Sequence, residues 1–330
     1  MGYSRWSHDA YSSRQHDRSS RGVDAFAYDR HVRSTGRYVV HDEMNPHGVA
    51  FRESRDSAEH PNSVPIGVFF DVTGSMGSIP RVLQTKLGAL MRTLIARGYV
   101  ADPQVLFGAV GDAFVDRVPF QVGQFESGLE MDDDLSRIVI EGGGGGTVEE
   151  SYDLALYFFA RHTATDAWEK RRRKGYLFLI GDEKPYDEVR RDHVQALIGD
   201  GLEASIPIEQ MIAEVEERYH LFYLVVTRGA NGRRPEVRQR WRDLLGQRAI
   251  LLDDPEAVSE TIALQIGLVE GTVNDLGRAT DDLVAAGFDA GAVRSASKAV
   301  AKYAATTALT SVASGTLPPP SSDAGHSERL

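Results

Sequence analysis

Three oxygen-bearing side chains follow the apolar run at residues 67–70 (GVFF). Asp71 comes directly after this run, and Thr73 and Ser75 lie two and four residues further on. Carboxylate and hydroxyl oxygens are the ligands that hard divalent cations prefer, above all Mg²⁺, which needs few carboxylates. Gly74, between the two hydroxyl residues, is free to take the positive φ that would turn both side chains toward one ion. The segment therefore predicts a cation site at the end of a strand.

Two further polar residues follow other predicted elements. Thr147 comes after the five glycines at 142–146 and directly before a predicted helix, and Asp182 ends the apolar run 175–181. In an open parallel sheet, ligands bind outside the carboxyl ends of the strands, near the point where strand order reverses. We therefore expect two carboxylates and three hydroxyls to converge on one crevice. Because hydroxyls bring no formal charge, a bound Mg²⁺ keeps much of its charge, and an acidic group of another protein can complete its shell.

Helix capping is the structural alternative for each of these residues, because Ser, Thr and Asp are common N-caps. Ser75 or Ser78 would cap the helix that begins near residue 80, and Thr147 would cap a later one. Capping explains a single residue of this kind well. It does not explain five such residues after three separate predicted strands, so we favour the cation site.

The surrounding sequence predicts an α/β fold with a doubly wound, mostly parallel, Rossmann-like sheet that carries helices on both faces. Short apolar runs that are typical of buried strands alternate with amphipathic helical patterns. The six strand-like runs are 65–71, 104–114, 117–125, 175–183, 221–226 and 248–254. One helix is expected from Pro80 to Gly98, and another over 147–162.

The chain divides into five predicted segments. Residues 1–37 are rich in Ser, Arg, Asp and His and predict a flexible, disordered arm. Residues 38–63 form an irregular extension, and 64–271 form the α/β domain. Residues 272–314 are Ala-rich and predict two short helices that pack on the body or on a partner, and 315–330 have the composition of a disordered tail.

Composition narrows the classes of function. The chain has 330 residues, no cysteine and a formal net charge of -11, so thiol chemistry is excluded and no nucleic-acid partner is expected. No uncharged apolar stretch approaches the roughly 20 residues that a bilayer requires, and the N-terminal residues lack a leader pattern. We therefore expect a cytoplasmic protein without a membrane partner. The oligomeric state stays open.

The motifs also carry a family resemblance. The segment 71–76 (DVTGSM) resembles the first loop of the metal-ion-dependent adhesion site, or MIDAS, of von Willebrand factor type A domains, whose pattern is Asp-x-Ser/Thr-x-Ser. Thr147 is similar to the second-loop threonine of that family, and Asp182 to its third-loop aspartate. The resemblance covers about Val64 to Val269, with the motifs in family order. The segments 142–150 (GGGGGTVEE) and 179–186 (LIGDEKPY) look most like the intracellular branch that includes the alpha-kinase-associated A domains.

The resemblance implies a set of roles for these residues. Thr73 and Ser75 would bind Mg²⁺ or Mn²⁺ directly, Thr147 would bind in the ligand-engaged state, and Asp71 and Asp182 would act largely through water. Three further acids would lie in the second shell or at the rim of the site, and these are Asp112, Glu150 and Glu183. Glu183 departs from the usual third loop, and the arginine that often precedes the position of Asp112 is missing.

Three functions follow from this sequence. The first is a metal-dependent module, not an enzyme, that recognises an acidic group on a partner protein. The second is a Mg²⁺-dependent hydrolase or phosphatase that uses Asp71 and Asp182. The third is a structural component of a larger assembly. Nucleotide binding is disfavoured because the glycine run lacks the Gly-Lys-Ser/Thr ending of a P-loop.

Overall fold

The computed structural model describes residues 4–22, 26–143 and 146–313, without the side chains of 87–89, 96 and 307–313. Within those residues, the helices α1 to α12 are His8–Ser20, Ala27–Thr35, Ile79–Ala96, Glu130–Arg137, Tyr152–Arg161, Asp166–Arg171, Arg191–Leu197, Ile208–Arg218, Pro235–Leu245, Val258–Val269, Leu276–Ala285 and Ala290–Ala313. In the same part of the chain, the strands β1 to β12 are Arg52–Ser54, Ser63–Asp71, Asp102–Val110, Phe120–Val122, Glu149–Glu150, Thr163–Thr165, Gly175–Gly181, Lys184–Pro185, Glu188–Val189, Ile206–Pro207, Tyr219–Val226 and Ala249–Leu252.

A six-stranded sheet forms the centre of the fold, in the order β12-β11-β7-β2-β3-β4. All neighbours are parallel except β4, which is antiparallel to β3. The chain proceeds from β2 to β3 on one side and returns later to place β7 on the other side of β2. The strand order therefore reverses at β2, and the carboxyl ends of β2 and β7 border the crevice where such folds bind ligands.

Helices cover both faces of this sheet. On β2, Val68 and Phe70 pack into the apolar layer shared with α3, α10 and α12, whereas Phe69 packs into the layer shared with α5 and α8. The alternation follows from the two-residue period of a strand, and burial on both faces explains why β2 is apolar throughout. The α/β class and the doubly wound, mostly parallel sheet are thus confirmed.

The N-terminal arm differs from its prediction of disorder. Its described residues form α1 and α2, and Tyr11 and Phe26 are buried in the core. Arg18 Nη1 lies 2.7 Å from Oδ1 of Asp132 in α4. The mean composition of the arm does not predict this order, because the two helices bury little apolar area. Two buried aromatic side chains and a few ion pairs to the α/β domain stabilise them. Of the predicted irregular extension, β1 pairs in parallel with β6.

The Ala-rich segment contains two helices, as expected, but the second, α12, is 24 residues long. Val293 and Val300 of α12 are buried in the core, so this segment packs within the molecule. The predicted tail at 315–330 lies outside the described residues. Among the helices that the structure describes, none combines the length and the apolar character that crossing a bilayer requires.

Candidate cation site at the ends of β2 and β7

Hydrogen bonds join four of the five predicted ligands. Asp71 is 0% exposed, and its Oδ1 accepts bonds from the Thr73 backbone N (2.8 Å) and hydroxyl (2.6 Å). Ser75 Oγ donates to Oδ1 of Asp182 at 2.6 Å. The strand ends of β2 and β7 therefore hold two carboxylates and two hydroxyls in one continuous cluster.

The two hydroxyl oxygens of this cluster face each other across 3.1 Å, from Thr73 Oγ1 to Ser75 Oγ. A hydroxyl has one proton, and each of these hydroxyls makes its shorter contact, 2.6 Å, with a carboxylate. When both carboxylates are ionised, each hydroxyl proton points to its carboxylate and the two hydroxyl oxygens turn lone pairs toward each other; a proton on either carboxyl lets one hydroxyl donate to the other instead. This all-oxygen donor set suits a hard divalent cation, which would attract both lone pairs.

The loop after β2 is fixed by backbone contacts with the glycine loop. Gly74 N donates to Gly143 O at 2.6 Å, and Gly142 N donates to Val72 O at 3.1 Å. A Cβ at Gly74 would lie 2.8 Å from Gly143 O. The expected reason for this glycine, a positive φ, is wrong: positive φ occurs at Gly77 and Gly142, whereas Gly74 permits close approach of the two loops.

Thr147, the fifth predicted ligand, lies apart from the hydrogen-bonded cluster. It is exposed, and its hydroxyl donates to the carbonyl oxygen of Glu149 at 3.4 Å. The capping alternative fails as well: Ser78 and Ser151 occupy the N-cap positions of α3 and α5, and neither side chain makes a cap hydrogen bond. The participation of Thr147 in a partner-bound state stays a prediction.

Glu150 and Glu183 approach Asp71 instead. One carboxylate oxygen from each of the three residues lies within 4.8 Å of the others, and this buried acidic group has the composition of a cation site. Glu150 and Glu183 are 2% and 4% exposed, so neither lies at the rim. The pairing of β5 with β8, which sets Glu150 opposite Pro185, brings the two glutamates together.

Electrostatics oppose ionisation of this cluster. Burial, followed by the charge of Asp182, raises the pKa of Asp71 well above its ordinary value. Burial and the charge of Asp71 raise the pKa of Glu150, and burial raises the pKa of Asp182 and Glu183. Protons therefore stay on part of the cluster unless a cation supplies compensating charge.

Three aromatic side chains beneath the carboxylates orient them. Tyr152 donates to Asp71 Oδ2 at 3.1 Å. The carbonyl oxygen of Glu183 accepts from the Tyr223 hydroxyl at 2.9 Å and from Trp241 Nε1 at 2.7 Å. Tyr223 and Trp241 stack with ring centroids 3.7 Å apart. These three side chains read as ordinary core residues in sequence, because only their polar tips reach the site.

The loop after β11 completes the site from the other side. Asn231 N donates to Asp182 Oδ2 at 2.8 Å, and its side-chain amide donates to Glu183 Oε1 at 2.5 Å. A Cβ at Gly229 would lie 2.4 Å from Asp182 Oδ2, so this position must be glycine for the loop to approach. No motif in the sequence indicated this loop, since its only signal is a turn composition.

Asp112 is also buried, and it organises the outer edge of the site. Its Oδ1 accepts from the backbone N of Phe114 and from the hydroxyl of Tyr186, both at 2.9 Å. Phe114 and Val115 are 50% and 55% exposed, and the Phe114 ring packs 4.9 Å from that of Tyr186. The buried carboxylate thus holds an apolar pair at the surface.

Comparisons with known sequences and structures find only distant structural similarity. No protein-family model matches it, and no curated protein sequence matches it. The pilus adhesin SpaC from Lactobacillus rhamnosus GG, in its open conformation, aligns with a TM-score of 0.45 at 12% identity, over 65% of this chain and 31% of the adhesin. Proximal thread matrix protein 1 from the mussel byssus aligns with a TM-score of 0.42 at 10% identity, over 66% of this chain and 48% of that protein. The chain thus spans less than half of either protein.

Proposed function

We propose that this chain is a protein-binding module that uses a divalent cation, Mg²⁺ or Mn²⁺, to bind an acidic group of a partner protein. Asp71, Thr73, Ser75 and Asp182 would hold the cation, and the cation would supply the positive charge that attracts the acid. The observation that carries the proposal is the convergence of the Thr73 and Ser75 hydroxyls, 3.1 Å apart, with the carboxyl groups of Asp71 and Asp182, each 2.6 Å from one of these hydroxyls. The resemblance of the loops to a MIDAS supports the same proposal.

Two features favour a protein as the partner. Ser75 is partly exposed, whereas Asp71, Thr73 and Asp182 are buried, so Ser75 is the part of the cluster that a partner can reach. Phe114 and Val115 present apolar surface in the loop that follows Asp112, and exposed apolar groups beside polar ones are typical of protein interfaces. The partner would therefore carry an acidic residue close to an apolar one.

Calorimetric titration of Mg²⁺ and Mn²⁺ into chelator-stripped protein tests the cation step. Thr73→Ala and Ser75→Ala should each weaken binding at the hydroxyl position by roughly tenfold or more, because a direct ligand is lost. Ser78→Ala is the matched control, since Ser78 is an exposed hydroxyl in the same loop whose side chain makes no cap hydrogen bond. Equal cation binding in wild type and Ser75→Ala would refute the proposal.

Partner binding is tested with the same variants. Capture of a partner should require Mg²⁺ or Mn²⁺, disappear with chelator, and be lost in Ser75→Ala but kept in Ser78→Ala. A phosphatase assay with p-nitrophenyl phosphate runs in parallel. Turnover by the wild type that Asp71→Ala abolishes would replace the binding module with a hydrolase.

A further inference from the structure

Asp71, Glu150 and Glu183, which we term the carboxylate triad, form a pocket of negative charge beside the hydroxyl cluster. Their nearest oxygens lie within 4.8 Å of one another, and all three residues are buried. Glu150 Oε2 and Glu183 Oε2 are buried, and no donor of another described residue reaches either oxygen, so the two glutamates have only each other as partners there. An acidic cluster alone is common, but buried carboxyl groups that pair only with each other lack a compensating positive charge.

Nearby basic side chains do not provide that compensation. Lys184, which follows Glu183, extends its Nζ to Glu149 at 3.2 Å, so its charge neutralises the half-exposed neighbour and not Glu150. The polar donors that reach the triad come from Thr73 and Tyr152, which contact Asp71, and from Asn231, which contacts Glu183 Oε1. None of these donors reaches Oε2 of Glu150 or of Glu183.

We infer that the carboxylate triad is a second divalent-cation site, which shares Asp71 with the hydroxyl site and binds Ca²⁺ without any partner. The chemistry of the triad supports this cation, because Ca²⁺ takes most of its six to eight oxygen ligands from flexible carboxylates of the protein. Mg²⁺ usually keeps several waters and is less suited to a buried set of protein carboxylates. Binding of Ca²⁺ at the triad does not require an ion at the hydroxyl site formed by Thr73 and Ser75.

The surrounding structure holds the triad in place before any ion binds. The parallel pairing of β5 and β8 fixes the backbone of Glu150 beside that of Pro185. The carbonyl oxygen of Glu183 is held by Tyr223 and Trp241, and Tyr152 holds Asp71. A preformed carboxylate set of this kind binds a cation with little ordering cost.

Calorimetric titration of Ca²⁺ into chelator-stripped chain, alone and with the hydroxyl site removed, tests the inference. Wild type should bind Ca²⁺ at the triad, and the Thr73→Ala/Ser75→Ala variant should keep this ion. In that background, Glu150→Gln and Glu183→Gln should each weaken the remaining site by roughly tenfold to a hundredfold. Glu149→Gln is the matched control, because Glu149 is the adjacent, partly exposed glutamate that pairs with Lys184, and it should leave binding unchanged.

Terbium luminescence gives a second readout. Tb³⁺ replaces Ca²⁺ at oxygen sites, and excitation of Tyr152, whose hydroxyl is 3.1 Å from Asp71 Oδ2, should sensitise its emission. The emission should fall in Glu150→Gln and Glu183→Gln but persist in Glu149→Gln, with unchanged circular dichroism. Loss of all Ca²⁺ binding in Thr73→Ala/Ser75→Ala would overturn the triad while leaving the proposed function intact. Loss of all Ca²⁺ binding in the glutamine variants, together with Mg²⁺ and Mn²⁺ binding that the alanine variants leave unchanged, would support the triad and overturn the proposed function.

Discussion

A single methyl group at Gly181, the last residue of β7, should break the aromatic support of the site. A Cβ there would lie 1.8 Å from the Tyr152 hydroxyl oxygen, 2.8 Å from its Cζ and 3.1 Å from Asp71 Cβ. Gly181→Ala must therefore displace Tyr152 and break its hydrogen bond to Asp71. Overpacking costs about 1 to 3 kcal/mol and a lost hydrogen bond to a carboxyl about 1.5 to 3 kcal/mol, so we expect the unfolding free energy to fall by about 2.5 to 6 kcal/mol.

A double-mutant cycle with Tyr152→Phe tests this contact directly. Tyr152→Phe removes the atom at 1.8 Å and the hydrogen bond, and leaves only the ring carbon at 2.8 Å. Gly181→Ala should then cost about 2 kcal/mol less in the Tyr152→Phe background than in wild type, because residues in contact are not additive. Urea denaturation of the four proteins, followed by tryptophan fluorescence, measures the coupling.

Gly67→Ala supplies the control for this cycle. Its Cβ would lie 2.1 Å from the Phe159 ring, so it should destabilise the protein by a comparable overpacking term. Gly67 lies opposite Leu177, four residues before Gly181 along β7, and it does not contact Tyr152. Its coupling to Tyr152→Phe should be below about 0.5 kcal/mol. Additive costs for Gly181 and Tyr152 would refute the proposed contact.

Three further predictions concern other parts of the molecule. Burial raises the pKa of Asp153 to about 8; the folded state then holds a proton that the unfolded chain releases above about pH 4, so stability falls as pH rises toward 8. The Asp153 carboxyl therefore makes the unfolding free energy fall by up to about 1.4 kcal/mol per pH unit between about pH 4 and pH 8. Urea denaturation at several pH values should show that Asp153→Asn removes this pH dependence. Arg18→Ala leaves the buried Asp132 without its 2.7 Å partner and should destabilise the docking of α1 by about 2 kcal/mol. Limited proteolysis should then cut α1 faster than in the control Arg21→Ala, which loses only an exposed ion pair. Phe114→Ser should leave the melting temperature within about 2 °C of wild type, because the side chain is 50% exposed, yet reduce cation-dependent partner capture.

The sequence predicts the central strands well, because a strand buried on both faces is apolar throughout. The predicted run 65–71 corresponds to β2 at Ser63–Asp71, and the helix expected from Pro80 to Gly98 corresponds to α3 at Ile79–Ala96. The local hydrophobic pattern predicted the wrong secondary structure where pairing with a strand distant in sequence decides the conformation. The single helix expected over 147–162 is instead the strand β5 followed by α5, because β8 pairs with Glu149 and Glu150. The acidic α4 was missed because its apolar residues are too few to give a clear period.

The residues of the candidate site also separate into those that local sequence predicts and those whose position depends on contacts distant in sequence. Asp71, Thr73, Ser75 and Asp182 were predictable as one cluster, because side chains after neighbouring parallel strands must meet at one edge of the sheet. The burial of Glu150 was not predictable, since it depends on pairing between two short strands that local sequence does not encode. Asn231 was not predictable either, because its role depends on where a turn-like loop lies in space.

Charge balance links the two cation positions. The buried carboxyl groups of Asp71, Glu150, Asp182 and Glu183 carry four negative charges when all are ionised, and like charges about 4 Å apart repel by about 4 kcal/mol per pair at an effective dielectric constant of about 20. In the fully ionised cluster, one divalent cation leaves a net charge of about -2, which weakens the attraction of the hydroxyl-site cation for the acid of a partner, whereas two cations neutralise the cluster. Capture of an acidic partner should therefore depend on cation concentration with a Hill coefficient above 1. The double variant Glu150→Gln/Glu183→Gln removes two charges, so it should capture the partner with one cation and a coefficient near 1. An unchanged coefficient in that variant would show that the triad does not control the charge presented to the partner.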